Sequence, residues 1–178
     1  MSDKKRPSKD QYYLDIAKEV SYRATCLRRR YGAIIVKDDQ IISTGYVGAP
    51  RGSPNCIDIG TCHRQKLNVP KGQRYELCRS VHAEMNAIIN AARAGVSLLG
   101  GTLYLYGEDI ENNCKLVEAG PCVLCKRAII NAGIERVVLQ MPGHIKEISI
   151  DDWINDVDAE VTSDVSDKGD ENAKEKAE

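Results

Sequence analysis

The sequence predicts an α/β protein, a central sheet with helices on both faces in a three-layer α/β/α arrangement. Three observations carry that expectation. After an opening helical segment and a β-hairpin, β-rich runs and helix-periodic runs alternate along the chain. Glycine and proline punctuate the ends of those runs. With 178 residues and 42% hydrophobic content the chain can bury one full core, and it is too short for two large domains.

Each element has its own justification. The first ten residues are polar and expected to be frayed, so the folded unit is expected to span residues 11 to 155. Tyr13, Ile16, Ala17, Val20, Ala24 and Leu27 then mark one face of a helix. Ala33 to Val36 and Ile41 to Tyr46 are β-rich, and Lys37-Asp38-Asp39-Gln40 between them reads as a hairpin turn. Val47 to Ser80 forms a long stretch rich in Gly, Pro, Cys and Arg. A loop of that length in a compact domain is functional or held by an internal clamp. Over residues 82 to 95, Ala83, Ala87, Ile88, Ala91 and Ala92 keep a helical period that closes at Gly95. A strand at Thr102 to Tyr106, a polar excursion from Gly107 to Gly120, and a helix continuing through Ala128, Ile129 and Ala132 follow. A last strand covers Arg136 to Val138 and Leu139, giving the order αββαβαβ. Beyond Asp151 the chain turns acidic, and residues 156 to 178 read as a solvated, disordered tail. There is no internal repeat.

Composition narrows the function classes. A formal charge of −1 gives no global attraction to nucleic acid or to an anionic membrane. The start, Met1-Ser2-Asp3-Lys4-Lys5-Arg6, leads into no apolar stretch, and no segment approaches a membrane span, so a cytoplasmic location is expected. Seven cysteines in a reducing compartment point to metal binding and buried thiols before disulfides.

The chemistry is concentrated in two segments. Val81-His82-Ala83-Glu84-Met85-Asn86-Ala87-Ile88 is answered forty positions after its histidine by Gly120-Pro121-Cys122-Val123-Leu124-Cys125. Zinc accepts one imidazole and two thiolates, and three protein ligands leave the fourth tetrahedral position to a water. His82 falls in the first turn of its helix. Cys122 and Cys125 share one side at the start of theirs, with Pro121 where a helix start tolerates it. Both helix N-termini would then converge on the metal and favour thiolate over thiol. Glu84 and His82, two apart, can reach one site because both lie at a helix mouth. Glu84 is the expected proton carrier and not a ligand. A closed structural zinc site is the bland rival, but one histidine with a Cys-x-x-Cys leaves it a ligand short. A Cys122–Cys125 disulfide is a weaker rival. His-x-Glu followed by Pro-Cys-x-x-Cys is the signature of zinc nucleobase deaminases.

With Gly32 to Lys37, Ser43 to Tyr46 and Gly48-Ala49-Pro50-Arg51-Gly52, the two motifs make the chain resemble the deoxycytidylate (dCMP) deaminases, in particular the bacterial late-competence-operon branch. The likeness runs over roughly residues 10 to 155. It implies the cytidine-deaminase fold, a mixed five-stranded sheet sandwiched by helices, and hydrolysis of dCMP to dUMP and ammonia. It also implies a homo-oligomer, often a hexamer, with dCTP and dTTP as allosteric effectors, and a backbone N–H of Ala83 holding the pyrimidine O2. A small-molecule nucleotide is the expected partner, and neither membrane nor nucleic acid is.

Phosphate contacts are expected from Arg28 and Arg51, with lower weight on Arg29 and Arg30; a solvated basic turn is the alternative. Cys26, Cys56, Cys62 and Cys78 surround the long loop and form a candidate second, structural zinc site, with His63 able to replace one thiol. In phage-type relatives a second zinc uses positions matching Cys26 and Cys56. Plain buried cysteines are the alternative, since the spacings are not those of a compact zinc finger. Val47 departs from the family, which usually has asparagine there. Rival functions are deamination of another cytosine compound or small base, and a weakly active zinc-stabilised regulatory module. Editing of tRNA or single-stranded DNA is disfavoured by the near-neutral charge, 5% aromatic content and absence of phenylalanine.

Overall fold

A computed structural model describes residues 6–118 and 120–155. The expected tail, residues 156–178, lies outside the described residues, as do the first five. Helix α1 (Lys9–Ser21) is capped by Ser8, whose hydroxyl accepts from the Gln11 amide at 3.1 Å. It therefore starts two residues before the expected domain boundary. It also stops at Ser21, so Ala24 and Leu27 lie past its end and do not extend the helical face.

Strands β1 (Arg29–Lys37) and β2 (Gln40–Tyr46) are joined by Asp38 and Asp39, both with positive φ, which is the backbone twist a two-residue hairpin needs. The long stretch to Ser80 is not structureless. It holds α2 (Cys56–Ile59), α3 (His63–Lys66) and a 3-10 turn at Tyr75–Leu77. Helix α4 (Ala83–Ala94) ends on left-handed Gly95. Strand β3 (Gly101–Asp109) runs three residues past the expected end, and β4 (Lys115–Leu116) folds back on it inside the expected polar excursion. Helix α5 (Val123–Asn131) and β5 (Ile134–Met141) follow. Beyond the expected order come β6 (His144–Ser149) and α6 (Ile150–Ile154).

The sheet is mixed, ordered β2-β1-β3-β5-β6 with β4 appended to β3. The pair β3–β5 is parallel and the others are antiparallel. The five-stranded path is the expected one; β4 is the sixth strand. Alternation along the strands divides the core between two faces. Ala33, Ile35, Leu103, Leu105, Val137 and Leu139 face α4, α5 and α6, while Ile34, Val36, Tyr104, Tyr106 and Val138 face α1. A strand covered on both sides needs apolar residues at nearly every position, and β3 meets this with buried Leu103, Tyr104, Leu105 and Tyr106, while its buried end carries Glu108 and Asp109, paired with Arg30 and Arg29.

Two glycines set how close the layers come. A Cβ on Gly32 would collide with the α1 backbone at Ala17 and Ser21, and one on Gly45 with the α4 backbone at Ala83 and Ala87. Each helix thus lies directly on a strand. Strands β2 and β3 run the same way, and α4 and α5, which follow their ends, run back along one face of the sheet. Their N-termini meet at the same edge.

Candidate active site

His82 is the N-cap of α4 and Cys122 the N-cap of α5, both in extended backbone conformation. The histidine sits one position before the first turn expected for it. In both helices the cap carbonyl accepts the first helical bond, from Asn86 at 2.9 Å and from Lys126 at 2.9 Å. Pro121 precedes the cap instead of occupying the first helical position. Val81 is clamped to the end of β2 by a two-bond bridge with Gly48, 2.8 and 3.1 Å long, which fixes where His82 projects. Cys125, one turn into α5, is buried.

The Nδ1 of His82 lies 3.4 Å from the Cys122 sulfur and 3.5 Å from the Cys125 sulfur. The edge of a tetrahedron with zinc bonds to sulfur and nitrogen is about 3.6 Å, so the donors already stand at ligand spacing. Among the described residues these three form the one group of His, Cys, Asp or Glu whose ligand atoms all lie within 4.8 Å. Donor softness and spacing both fit zinc, with Nδ1 as the imidazole ligand.

Protonation follows from the crowding of these groups. The Cys125 thiol's hydrogen bond and the imidazole hold Cys122 down at about 4, against the cost of burial. Cys125 is pushed up by the Cys122 thiolate and by burial. Burial opposes charge on His82, but hydrogen bonds to Cys122 and Cys78 and the charge of Glu84 outweigh it and raise the imidazole to about 10. Zinc, on binding, replaces protons on these ligands.

Glu84 is 5% exposed in the first turn of α4. Burial raises its carboxyl, partly opposed by His82. A buried carboxyl with raised proton affinity is suited to taking a proton and passing it on. It lines a cavity of about 280 Å³ together with Ala83, His82, Cys122, Val47 and Tyr31. The ring of Tyr75 meets that of His82 edge-on at 5.4 Å.

The other expected residues divide. Arg28 lines the cavity, but its Nε is paired with Glu111 at 3.2 Å. Arg51 is not among the lining residues; it is exposed and donates to Asn90 on α4 at 2.7 Å, because the loop after β2 turns back over that helix. Arg29 lines the cavity paired with Asp109, and Arg30 pairs with Glu108 at 2.9 Å. Cys26, Cys56, Cys62 and Cys78 are not brought into one ligand set. The Cys56 sulfur is buried 3.6 Å from the Ser80 hydroxyl, Cys62 interacts with Arg28, and Cys78 with His82. Cys26 lies near enough to Cys56 and Cys78 to feel their charge, but the four sulfurs do not stand together at ligand spacing. His63 is exposed at the start of α3, and Cys114 is exposed in a left-handed turn. Arg64, Lys71, Tyr31 and Tyr75 also line the cavity without having been singled out by sequence. The one signal for the first, second and last was that they belong to a long, polar loop.

An open three-ligand N,S,S centre beside a buried carboxylate, at the edge where two helix N-termini meet, defines a zinc hydrolase of the nucleobase-deaminase class. The family model described as the cytidine and deoxycytidylate deaminase zinc-binding region matches residues 7–141. The chain belongs to that family. It is 38% identical over 138 residues to the deoxycytidylate deaminase of Mycobacterium phage D29, covering 75% of this chain and 94% of the relative. Identity to the deoxycytidylate deaminase of Schizosaccharomyces pombe is 35% over 133 residues, 75% of this chain and 37% of the relative. Bacillus subtilis ComE operon protein 2 is 33% identical over 132 residues, 74% of this chain and 59% of its own length. The chain thus spans nearly all of the phage relative and well under half of the yeast one. Among crystal structures, the apo dCMP deaminase of cyanophage S-TIM5 aligns with a TM-score of 0.54 and 25% identity, over 76% of this chain and 85% of that one.

Proposed function

We propose that the chain hydrolyses dCMP to dUMP and ammonia. The observation that carries this reading is Glu84, buried in the same cavity as the His82, Cys122 and Cys125 donor set. A closed structural metal needs no such carboxylate. The nearly full-length likeness to a phage deoxycytidylate deaminase supports the nucleotide substrate.

Zinc, when bound, acts as a Lewis acid that lowers the pKa of water towards about 7. Glu84 accepts the proton that water gives up and delivers it to N3 of the pyrimidine as the water oxygen bonds to C4. Passed to the exocyclic amine, a proton makes ammonia the leaving group as the C4–N bond breaks and a C4 carbonyl remains. The Ala83 N–H, in the first turn of α4, has no intrahelical acceptor, and since Ala83 lines the cavity this donor would hold O2. Val47, 5% exposed, offers the substrate no hydrogen bond where the family usually has an amide.

The family likeness extends the reading to a homo-oligomer with dCTP and dTTP as effectors in the cytoplasm; no helix among the described residues is long and apolar enough to cross a membrane. Light scattering with and without each nucleotide tests the assembly. Ammonia release from dCMP, dCTP, deoxycytidine, cytidine and guanine tests the substrate. The highest kcat/KM is expected for dCMP, and a preference for another compound overturns the assignment.

A further inference from the structure

Resting on the reading of a phosphorylated cytosine substrate, we infer that Arg64, with Lys71 at the rim, is the specificity determinant that reads the phosphate, in place of Arg28 or Arg51. The cavity is lined by four cationic side chains, Arg28, Arg29, Arg64 and Lys71, against one carboxylate, Glu84. Two of the four are already neutralised, Arg28 by Glu111 and Arg29 by Asp109. Arg64 is not. It is 8% exposed and forms no salt bridge among the described residues; Glu76, whose carboxylate feels the Arg64 charge, is exposed and pairs with Arg74 at 3.0 Å.

The Arg64 guanidinium is held in place without being satisfied. One terminal nitrogen, Nη2, donates to the carbonyls of Pro70, at 3.0 Å, and Gln73. Its face lies 5.1 Å from the ring centre of Tyr75, which in turn packs against His82. Its Nε is buried and meets no acceptor. A buried guanidinium without a counter-ion is costly unless an anion completes it, and a planar fork with free donors suits a phosphate oxygen pair. Lys71 is exposed, lines the same cavity and makes no ion pair among the described residues. Together the two cations match the double charge of a phosphate monoester, and the ring of Tyr75 stands between Arg64 and the metal ligand His82. Loop residues 62 to 75 thus form the phosphate end of the pocket.

The test compares kcat/KM for dCMP with that for deoxycytidine, in the zinc-loaded protein. Wild type should prefer the nucleotide, and Arg64→Gln should cut that preference about tenfold or more. Lys71→Gln should cut it by a smaller factor. A preference that survives Arg64→Gln, or a fall shared equally by both substrates, overturns the assignment and leaves Arg64 as a loop brace. If Arg64→Gln does not fold, Arg64→Lys and Lys71→Gln decide by the same ratio. Should wild type release ammonia from neither compound, the dCMP reading fails by itself. The phosphate site is then judged by inorganic phosphate, which must raise the Tm of wild type and not of the Arg64 variant.

Discussion

His82 and Cys122 do the same thing in two unrelated stretches of sequence: each caps a helix and turns its side chain towards the other. That much was legible, because His-x-Glu and Pro-Cys-x-x-Cys specify both the ligands and their position at helix mouths. The substrate end was not. Arg28, Arg51 and Arg64 look alike in sequence, and what separates them is whether a carboxylate or an amide side chain has already claimed the guanidinium, which depends on residues far away in the chain. Glu111 neutralises Arg28 from 83 positions on, and Asn90 draws Arg51 to the outside of α4. Val47 is the converse case, a departure from the family visible in sequence and placed by the structure in the cavity wall. Replacing it with asparagine restores a donor and an acceptor. A hydrogen bond regained at a buried site is worth around 1 kcal/mol, so Val47→Asn should raise kcat/KM for dCMP about fivefold. No change would mean that water or a neighbouring group already serves that atom.

At the scale of elements, the strands and helices with strong periodicity were predictable, and the errors fell at their ends and edges. Strand β6 escaped because it is an edge strand: His144, Lys146 and Glu147 are exposed, leaving Ile145 and Ile148 as its half-buried apolar contacts. Gly45 shows how packing reaches the chemistry. It lets α4 lie on β2, and α4 carries Glu84 and positions His82. Gly45→Ala should push that helix outward, costing about 1–3 kcal/mol of stability and weakening zinc retention; thermal unfolding and metal analysis of the same sample check both. Equal Tm and equal zinc would mean that the layers have slack.

A second element-scale prediction concerns Arg136 on β5, which joins α1 through Asp10 at 2.9 Å and β6 through Glu147 at 2.5 Å. Burial raises Asp10, but hydrogen bonds from Arg136 and Tyr104 outweigh it and hold the carboxyl below its ordinary 3.8. Arg136 likewise holds Glu147 below 4.5. Groups whose folded pKa is depressed stabilise the fold above their unfolded pKa, and the stabilisation is lost as pH falls through the folded value. The pairs are half-exposed, so the effect is modest. Tm should therefore decline from about pH 5 to pH 3 more steeply in wild type than in Arg136→Gln. Parallel curves would show that the pairs add nothing.

For the whole molecule, the alternation of segments along the chain was enough to give the three layers, and the parallel β3–β5 pair with its crossover helix then brings two helix N-termini to one edge. Metal content was harder to read. The surplus thiols Cys26, Cys56, Cys62 and Cys78 offered a candidate second zinc site with plain buried cysteines as the alternative; among the described residues the thiols that stand at ligand spacing are Cys122 and Cys125, with His82. Counting cysteines says nothing of which partners each one meets. Zinc content and ammonia release from dCMP, measured on the same preparations of wild type and Glu84→Gln, test the assignment of metal and proton carrier together. Both proteins should hold about one zinc per chain, and the variant should lose about 10²–10⁴-fold or more in turnover, since the side chain that moves the proton is gone while every ligand remains. A zinc-loaded Glu84→Gln that releases ammonia at the wild-type rate would contradict the mechanism.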